Sequence, residues 1–271
     1  MRTSVLSSVA ALAALVSASS ALAHIGYTGR NFNTLALDGS TVPINGQSVS
    51  SGFGWADATD ADYGDSHRGR FFRFTLASTA SVSISVQRNN DIGTGPDDTF
   101  LPGFSLYLGL GHLSPFKASH DSAALSIASR PGGTEGSFRS LTDWSIGNDP
   151  TYVNGDPLQG VLHPASLRSF TYVGHAADGT SANYGAVSGI SGDGLADGFV
   201  TGTFHGLAAG DYSIFVGGAN YALQGTETGP TFPTYGVNVS VSAIPEPSAF
   251  AALAGCAALG LAALRRRRPA R

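Results

Sequence analysis

RFFRFTLASTASVSISV, residues Arg70–Val86, alternates apolar and polar side chains through two successive runs. Phe72, Phe74 and Leu76 interleave with Arg73 and Thr75; after a short break, Val82, Ile84 and Val86 interleave with Ser81, Ser83 and Ser85. A period of two puts every second side chain on one face of an extended strand, so each run has one face for a core and one for solvent.

The same pattern recurs outward from this stretch. Phe104, Leu106, Leu108 and Leu110 form one set, Tyr212, Ile214 and Val216 a second, and Tyr235, Val237, Val239 and Val241 a third. Gly-, Pro- and Asn-rich segments divide them, among them Arg88–Pro96 and Thr226–Pro233. Helical periodicity is nearly absent, and 36 glycines suit short strands and tight turns. Strands with one apolar face each need a second sheet to cover them, so the expected fold is an all-β sandwich. Segment 111–191 is less regular and reads as a loop-rich insertion at one end of the sandwich, with strands expected around Leu125–Ile127, Phe138–Trp144 and Leu167–Val173.

Two stretches, Arg70–Val86 and GLAAGDYSIFVGG at Gly206–Gly218, resemble the paired hairpins of the bacterial pre-peptidase C-terminal domain, and FSLYLGL at Phe104–Leu110 stands where that family has another strand. The resemblance implies a jelly-roll-like β-sandwich with an accessory role. The chain departs from the family in its long insertion and in lacking an attached protease.

The two ends read as addresses. Met1-Arg2-Thr3 followed by an apolar run and Ala21-Leu22-Ala23 has the form of a signal peptide cut after Ala23 by signal peptidase, which would leave His24 first. At the other end, Pro245-Glu246-Pro247 precedes an uncharged run, Ser248–Leu264, and the block Arg265, Arg266, Arg267 and Arg268. As a helix the run would extend roughly 25 Å, inside the lower range for a bilayer span. The arginines would keep that end cytoplasmic. This order of parts resembles the PEP-CTERM sorting signal, which implies transient inner-membrane anchoring, cleavage near the box by exosortase, and delivery to the cell surface or extracellular matrix. The domains expected are therefore 1–23 (signal peptide), 24–243 (sandwich) and 244–271 (sorting signal).

With the basic end residues set aside and Glu246 counted with the body, nine basic residues face nineteen acidic ones, a balance of about −10. Such a field repels phosphate backbones, which argues against nucleic acid as a partner, and attracts divalent cations. The only cysteine, Cys256, falls in the tail, so the body has neither disulfide nor thiol chemistry.

Candidate site residues follow from the acids and histidines. Asp57, Asp60, Asp62 and Asp65 crowd one Gly-containing loop, and Asp193 and Asp197 stand four apart in GDGLADG; both groups are candidate calcium ligands, since calcium takes six to eight oxygens. Each also suits an ordinary acidic turn. An N-terminal His24 would bring its amino group and imidazole together, a donor set suited to copper. Among His67, His112, His120, His163, His175 and His205 no second-histidine spacing stands out. No G-x-S-x-G elbow supports a nucleophilic serine, and no catalytic residue is assigned. Trp55, Tyr63, Trp144, Tyr152, Tyr184 and Tyr221 are candidates for stacking on sugars.

The expected function is a non-catalytic, exosortase-processed surface or matrix protein associated with exopolysaccharide or biofilm. The alternatives are a secreted polysaccharide-modifying enzyme with copper at His24, or an ice-binding or adhesive protein. Ice binding would need a flat, regular threonine array, and no fixed-period repeat supplies one.

Overall fold

A computed structural model describes residues 26–56, 63–96, 98–111, 136–147, 167–185, 189–227, 232–246 and 259. Its strands, in chain order, are β1 (Asn31–Thr34), β2 (Thr41–Ser50), β3 (Tyr63–Asp65), β4 (Arg70–Leu76), β5 (Ala80–Gly93), β6 (Pro102–Leu108), β7 (Ser137–Arg139), β8 (Trp144–Gly147), β9 (Leu167–Ala177), β10 (Phe199–Leu207), β11 (Gly210–Gly218) and β12 (Thr234–Pro245). They form a six-stranded sheet in the order β1-β4-β11-β6-β9-β8, a four-stranded sheet in the order β10-β5-β12-β2, and the pair β3-β7. All pairings are antiparallel except β1 with β4.

The all-β sandwich is present, and the Arg70–Val86 stretch builds it. Phe72, Phe74 and Leu76 from the six-stranded sheet and Val82, Ile84 and Val86 from the four-stranded sheet are all buried in one cluster, joined by Leu106, Ile214, Val237, Val239 and Val241. Neither stretch that suggested a hairpin is one. β4 and β5 lie in different sheets, as do β10 and β11, so each short connection crosses from one layer to the other. The two crossings are neighbours twice over, because β11 pairs with β4 and β10 pairs with β5.

Three readings of the loops are corrected. The break expected at Arg88–Pro96 is mostly strand: β5 runs to Gly93, with residues 90–92 bulging between Asn89 and Gly93, which oppose the adjacent Gly236 and Tyr235. The region from 111 is not an appendage at one end, since β9 sits inside the six-stranded sheet between β6 and β8. The strand expected over Phe138–Trp144 is two: β7 ends at Arg139 and β8 begins at Trp144. The strand expected at Leu125–Ile127 lies outside the described residues.

A second core follows from this placement. Phe71, Tyr107, Phe170 and Phe215 project from the outer face of the six-stranded sheet into a cluster with Tyr27, Trp55, Phe138 and Trp144. Trp144 stacks on Phe170, its cross-strand partner, with centroids 4.6 Å apart and planes 7° from parallel, and Phe138 meets Phe215 at 4.1 Å. The molecule therefore has three layers.

The expected membrane-spanning sorting helix is also corrected. No helix among the described residues is long and apolar enough to cross a membrane, and Ser248–Leu264 lies outside them apart from Leu259. The transient membrane anchor, and the surface or matrix destination reasoned from it, have no support in this fold.

Candidate functional site

Of the first acidic loop only Asp65 is described; Asp57, Asp60 and Asp62 lie outside, as do Ala21, Ala23, His24, Pro247 and Arg265–Arg268. Asp65, at the end of β3, is engaged in its own turn. Its Oδ1 accepts the His67 amide N–H at 2.8 Å and its Oδ2 accepts Arg68 Nε–H at 2.9 Å. Arg68 in turn lies over the rings of Phe53 and Phe232, at 4.6 and 4.1 Å.

Asp193 and Asp197 come together with a third acid that sequence reading missed, Asp178. The loop holding the first two is stitched to the end of β9: Asp193 donates its amide N–H to the carbonyl of Ala177, and Gly194 donates to that of Gly179. Asp178 is fully buried and accepts the amides of Asp197 at 3.1 Å and Gly198 at 2.6 Å, one on each oxygen. Burial pushes its carboxyl up to about 6; the two amides pull the other way, and the charges of Asp193 and Asp197 add to the rise. Asp193 Oδ1 accepts the amides of Gly179 and Leu195, and Asp197 Oδ1 accepts that of Phe199. The bonds from Leu195 and Phe199 are ordinary Asx turns, and the one from Gly179 ties the loop to the end of β9. Among the described residues no group of three or more His, Cys, Asp or Glu stands close enough to hold a metal ion. The Asp178-Gly179 dipeptide after β9 was the available signal, but its burial depends on the remote loop.

His175, on β9, is the most enclosed of the three described histidines. Its Nε2 accepts the Ser191 amide at 2.8 Å, its Nδ1 bonds the Tyr172 hydroxyl, and the Trp55 ring lies 5.7 Å away. Burial lowers its pKa, which favours the neutral imidazole.

The Pro-Glu-Pro box is where the sequence-marked site and the fold meet. β12 ends at Pro245, paired with Ala80. One oxygen of the Glu246 carboxylate accepts the Ser81 hydroxyl and the Gly206 amide, each at 2.7 Å. Ser81 Oγ also meets His205 Nδ1 at 2.9 Å. Serine, histidine and glutamate thus gather at one point, but in the wrong order for acyl transfer: the carboxylate bonds the serine rather than orienting the imidazole.

Of the aromatic residues proposed to stack on sugars, the four with described side chains are not available for it. Trp55, Trp144, Tyr184 and Tyr221 are buried, and the Tyr63 side chain and Tyr152 lie outside the described set.

No protein-family model matches the chain, and no curated protein matches it. Among solved structures it is similar to CorA, described as a surface-associated copper-binding protein important in copper acquisition by Methylomicrobium album BG8, at 16% identity and a TM-score of 0.48, covering 79% of this chain and 97% of that one. It is also similar to the secreted protein MopE of Methylococcus capsulatus, in which an oxidized tryptophan facilitates copper binding, at 16% identity and a TM-score of 0.43, covering 79% and 86%. A third, the periplasmic g-type lysozyme inhibitor PliG of Aeromonas hydrophila, shares 13% identity at a TM-score of 0.25, covering 79% and 98%. Likeness at these levels carries no argument about what this chain binds. With the four described candidate rings buried, the exopolysaccharide reading is set aside.

Proposed function

We propose that the protein is a non-catalytic β-sandwich that binds its ligand without transforming it, and that its Pro-Glu-Pro box is a processing site for an exosortase-type peptidase. One observation supports the processing half: the last strand of the sandwich ends at Pro245, so the box stands where the fold hands the chain over to its tail. Peptidases act on segments drawn out in extended form, and the end of a strand leaves its sheet more readily than the middle does. The non-catalytic half is supported by the grouping of Ser81, His205 and Glu246, whose order is wrong for acyl transfer.

The test is the mass of the mature C-terminus in cells with and without the exosortase. An end near 245–247 only in competent cells is the expected result. A chain still ending at Arg271 in both would overturn the processing reading.

For the ligand, we propose copper, with the His175 imidazole as one donor; the described residues bring no group of three around it, so the proposal rests on this one ring. A neutral imidazole is a good copper ligand, and the bond it would exchange, from the Ser191 amide to Nε2, is worth about 1 kcal/mol. Copper should bind the purified protein at one equivalent by titration and elemental analysis, and His175→Ala should remove it while the melting temperature stays within a few degrees. Absence of stoichiometric copper from the wild-type protein would end this proposal. Copper retained by His175→Ala would move the site to another donor such as His24.

A further inference from the structure

The Pro-Glu-Pro box is tied to the body. Pro245 is the last ladder residue of β12, an interior strand of the four-stranded sheet with β5 on one side and β2 on the other. Glu246, the next residue, turns its carboxylate back onto the sheet, to the Ser81 hydroxyl at the start of β5 and the Gly206 amide near the end of β10. Ser81 is 6% exposed, and His205 Nδ1 meets its oxygen from the neighbouring strand. The Ser81 hydroxyl and the Gly206 amide, with the charge of nearby His205 as a smaller contribution, hold the Glu246 carboxyl below the usual carboxylate range. Three strands distant in sequence thus converge on one carboxylate: Ser81 is 165 positions from Glu246, and Gly206 is 40.

We infer that Ser81, Gly206 and His205 form a latch that closes on Glu246 in the folded domain and slows cleavage next to Pro245 and Glu246 until it opens. This rests on the processing reading above and deepens it by assigning its regulation. A peptidase must draw several residues into its cleft in extended form, and here the glutamate is bonded to the substrate's own sheet while the proline before it is paired in a ladder. Cleavage therefore requires the carboxylate to leave Ser81 and Gly206, and the rate follows the open fraction. Completion of the four-stranded sheet closes the latch, because its donors come from β5 and β10 and its acceptor follows β12. Folding of the body is thereby linked to the availability of the box.

Ser81→Ala and His205→Ala leave the box sequence untouched and test the latch directly. The purified full chain is treated with a proline-specific endopeptidase, and loss of the tail is followed by intact mass. Removing one hydrogen bond to a charged but solvent-accessible group should speed cleavage about five-fold in Ser81→Ala, with a smaller effect in His205→Ala. Hydrogen exchange at the Gly206 amide supplies a second reading that needs no peptidase: slow in the wild type, faster in Ser81→Ala, with unchanged exchange in β11 showing that the sandwich remains folded. Equal cleavage rates in all three proteins, or a Gly206 amide that exchanges in the wild type as fast as an open loop, would overturn the latch. In exosortase-competent cells Ser81→Ala should lose its tail sooner than the wild type. If the purified proteins behave as expected and no cell removes the tail, the latch stands and the exosortase reading alone fails.

Discussion

The outer faces of the two sheets have nearly the same kind of sequence and opposite surroundings. On the four-stranded sheet, Ser83 and Ser85 of β5 face Thr203 and Thr201 of β10 and Ser242 and Ser240 of β12, in register and in contact with solvent. On the six-stranded sheet the corresponding positions are Ser105 of β6 and Ser213 of β11, both at 0% exposure. Ser213 donates to the carbonyl of Gly109 at 2.6 Å and meets the Tyr27 hydroxyl at 2.7 Å, while Ser105 accepts the Trp55 indole N–H at 2.9 Å. Buried hydroxyls need partners because desolvation without one costs free energy. The lesson is that a serine at an alternating position says only which side of a strand it occupies. Whether that side is wet depends on what else the chain lays over it.

The strongest way to break this contrast is to empty the aromatic layer. Phe215, fully buried between Phe71 and Phe138, belongs to the outer core, and Phe72, equally buried, belongs to the core between the sheets. Phe215→Ala and Phe72→Ala should each lower unfolding free energy in urea by about 3–5 kcal/mol. A loss under about 1 kcal/mol for Phe215→Ala alone would demote the outer layer to a loose cover.

A smaller effect is expected where the loop 192–198 is tied to β9. Asp178→Asn keeps the shape but turns one acceptor into a donor, leaving an amide of Asp197 or Gly198 unmatched, at about 1–3 kcal/mol. The pH dependence sharpens the point. The folded-state pKa of Asp178, about 6, lies above its ordinary value of 3.8, so the folded protein takes up this proton first as pH falls. This group therefore adds stability as pH drops from about 7 to about 4 and withdraws it as pH rises through 6. Melting curves across that range should show the wild type gaining on Asp178→Asn toward acid; parallel curves would mean that the carboxyl titrates normally.

The smallest and most direct comparison uses two serines that alternate identically in sequence. Ser213→Ala leaves the Tyr27 hydroxyl with the Gly111 amide alone and takes the hydroxyl donor from the Gly109 carbonyl, and should cost about 1–2 kcal/mol. Ser83→Ala, on the solvent side, should stay within about 0.5 kcal/mol of wild type. Equal changes in denaturation midpoint for the two would erase the distinction between the faces.

Much of the sandwich was legible before any coordinates. β4, β5, β6, β11 and β12 lie where period-two alternation placed them, because that signal is local and survives without knowledge of partners. β1 and β2 were not foreseen: TVPINGQSVS carries a proline, a glycine and few large apolar residues, and only its place beside β12 makes it a strand. The candidate sites divide in the same way. Asp193, Asp197 and Glu246 were marked by turn chemistry and by the box, and Asp178 had only its Asp-Gly dipeptide, whereas Ser81, Gly206 and His205 had no local signal pointing to their meeting.

The order of residues by itself determined that this chain makes amphipathic strands, that its body contains no cysteine, and that Pro245 and Glu246 begin a distinctive motif. The tertiary structure alone decided that Arg70–Val86 crosses between sheets, that serines at like positions are dry on one sheet and wet on the other, and that the Glu246 carboxylate returns to the body. The physical reason is one of range. Alternation and turn preference act over a few residues, while burial and hydrogen-bond satisfaction depend on segments that lie 40 to 186 positions away along the chain.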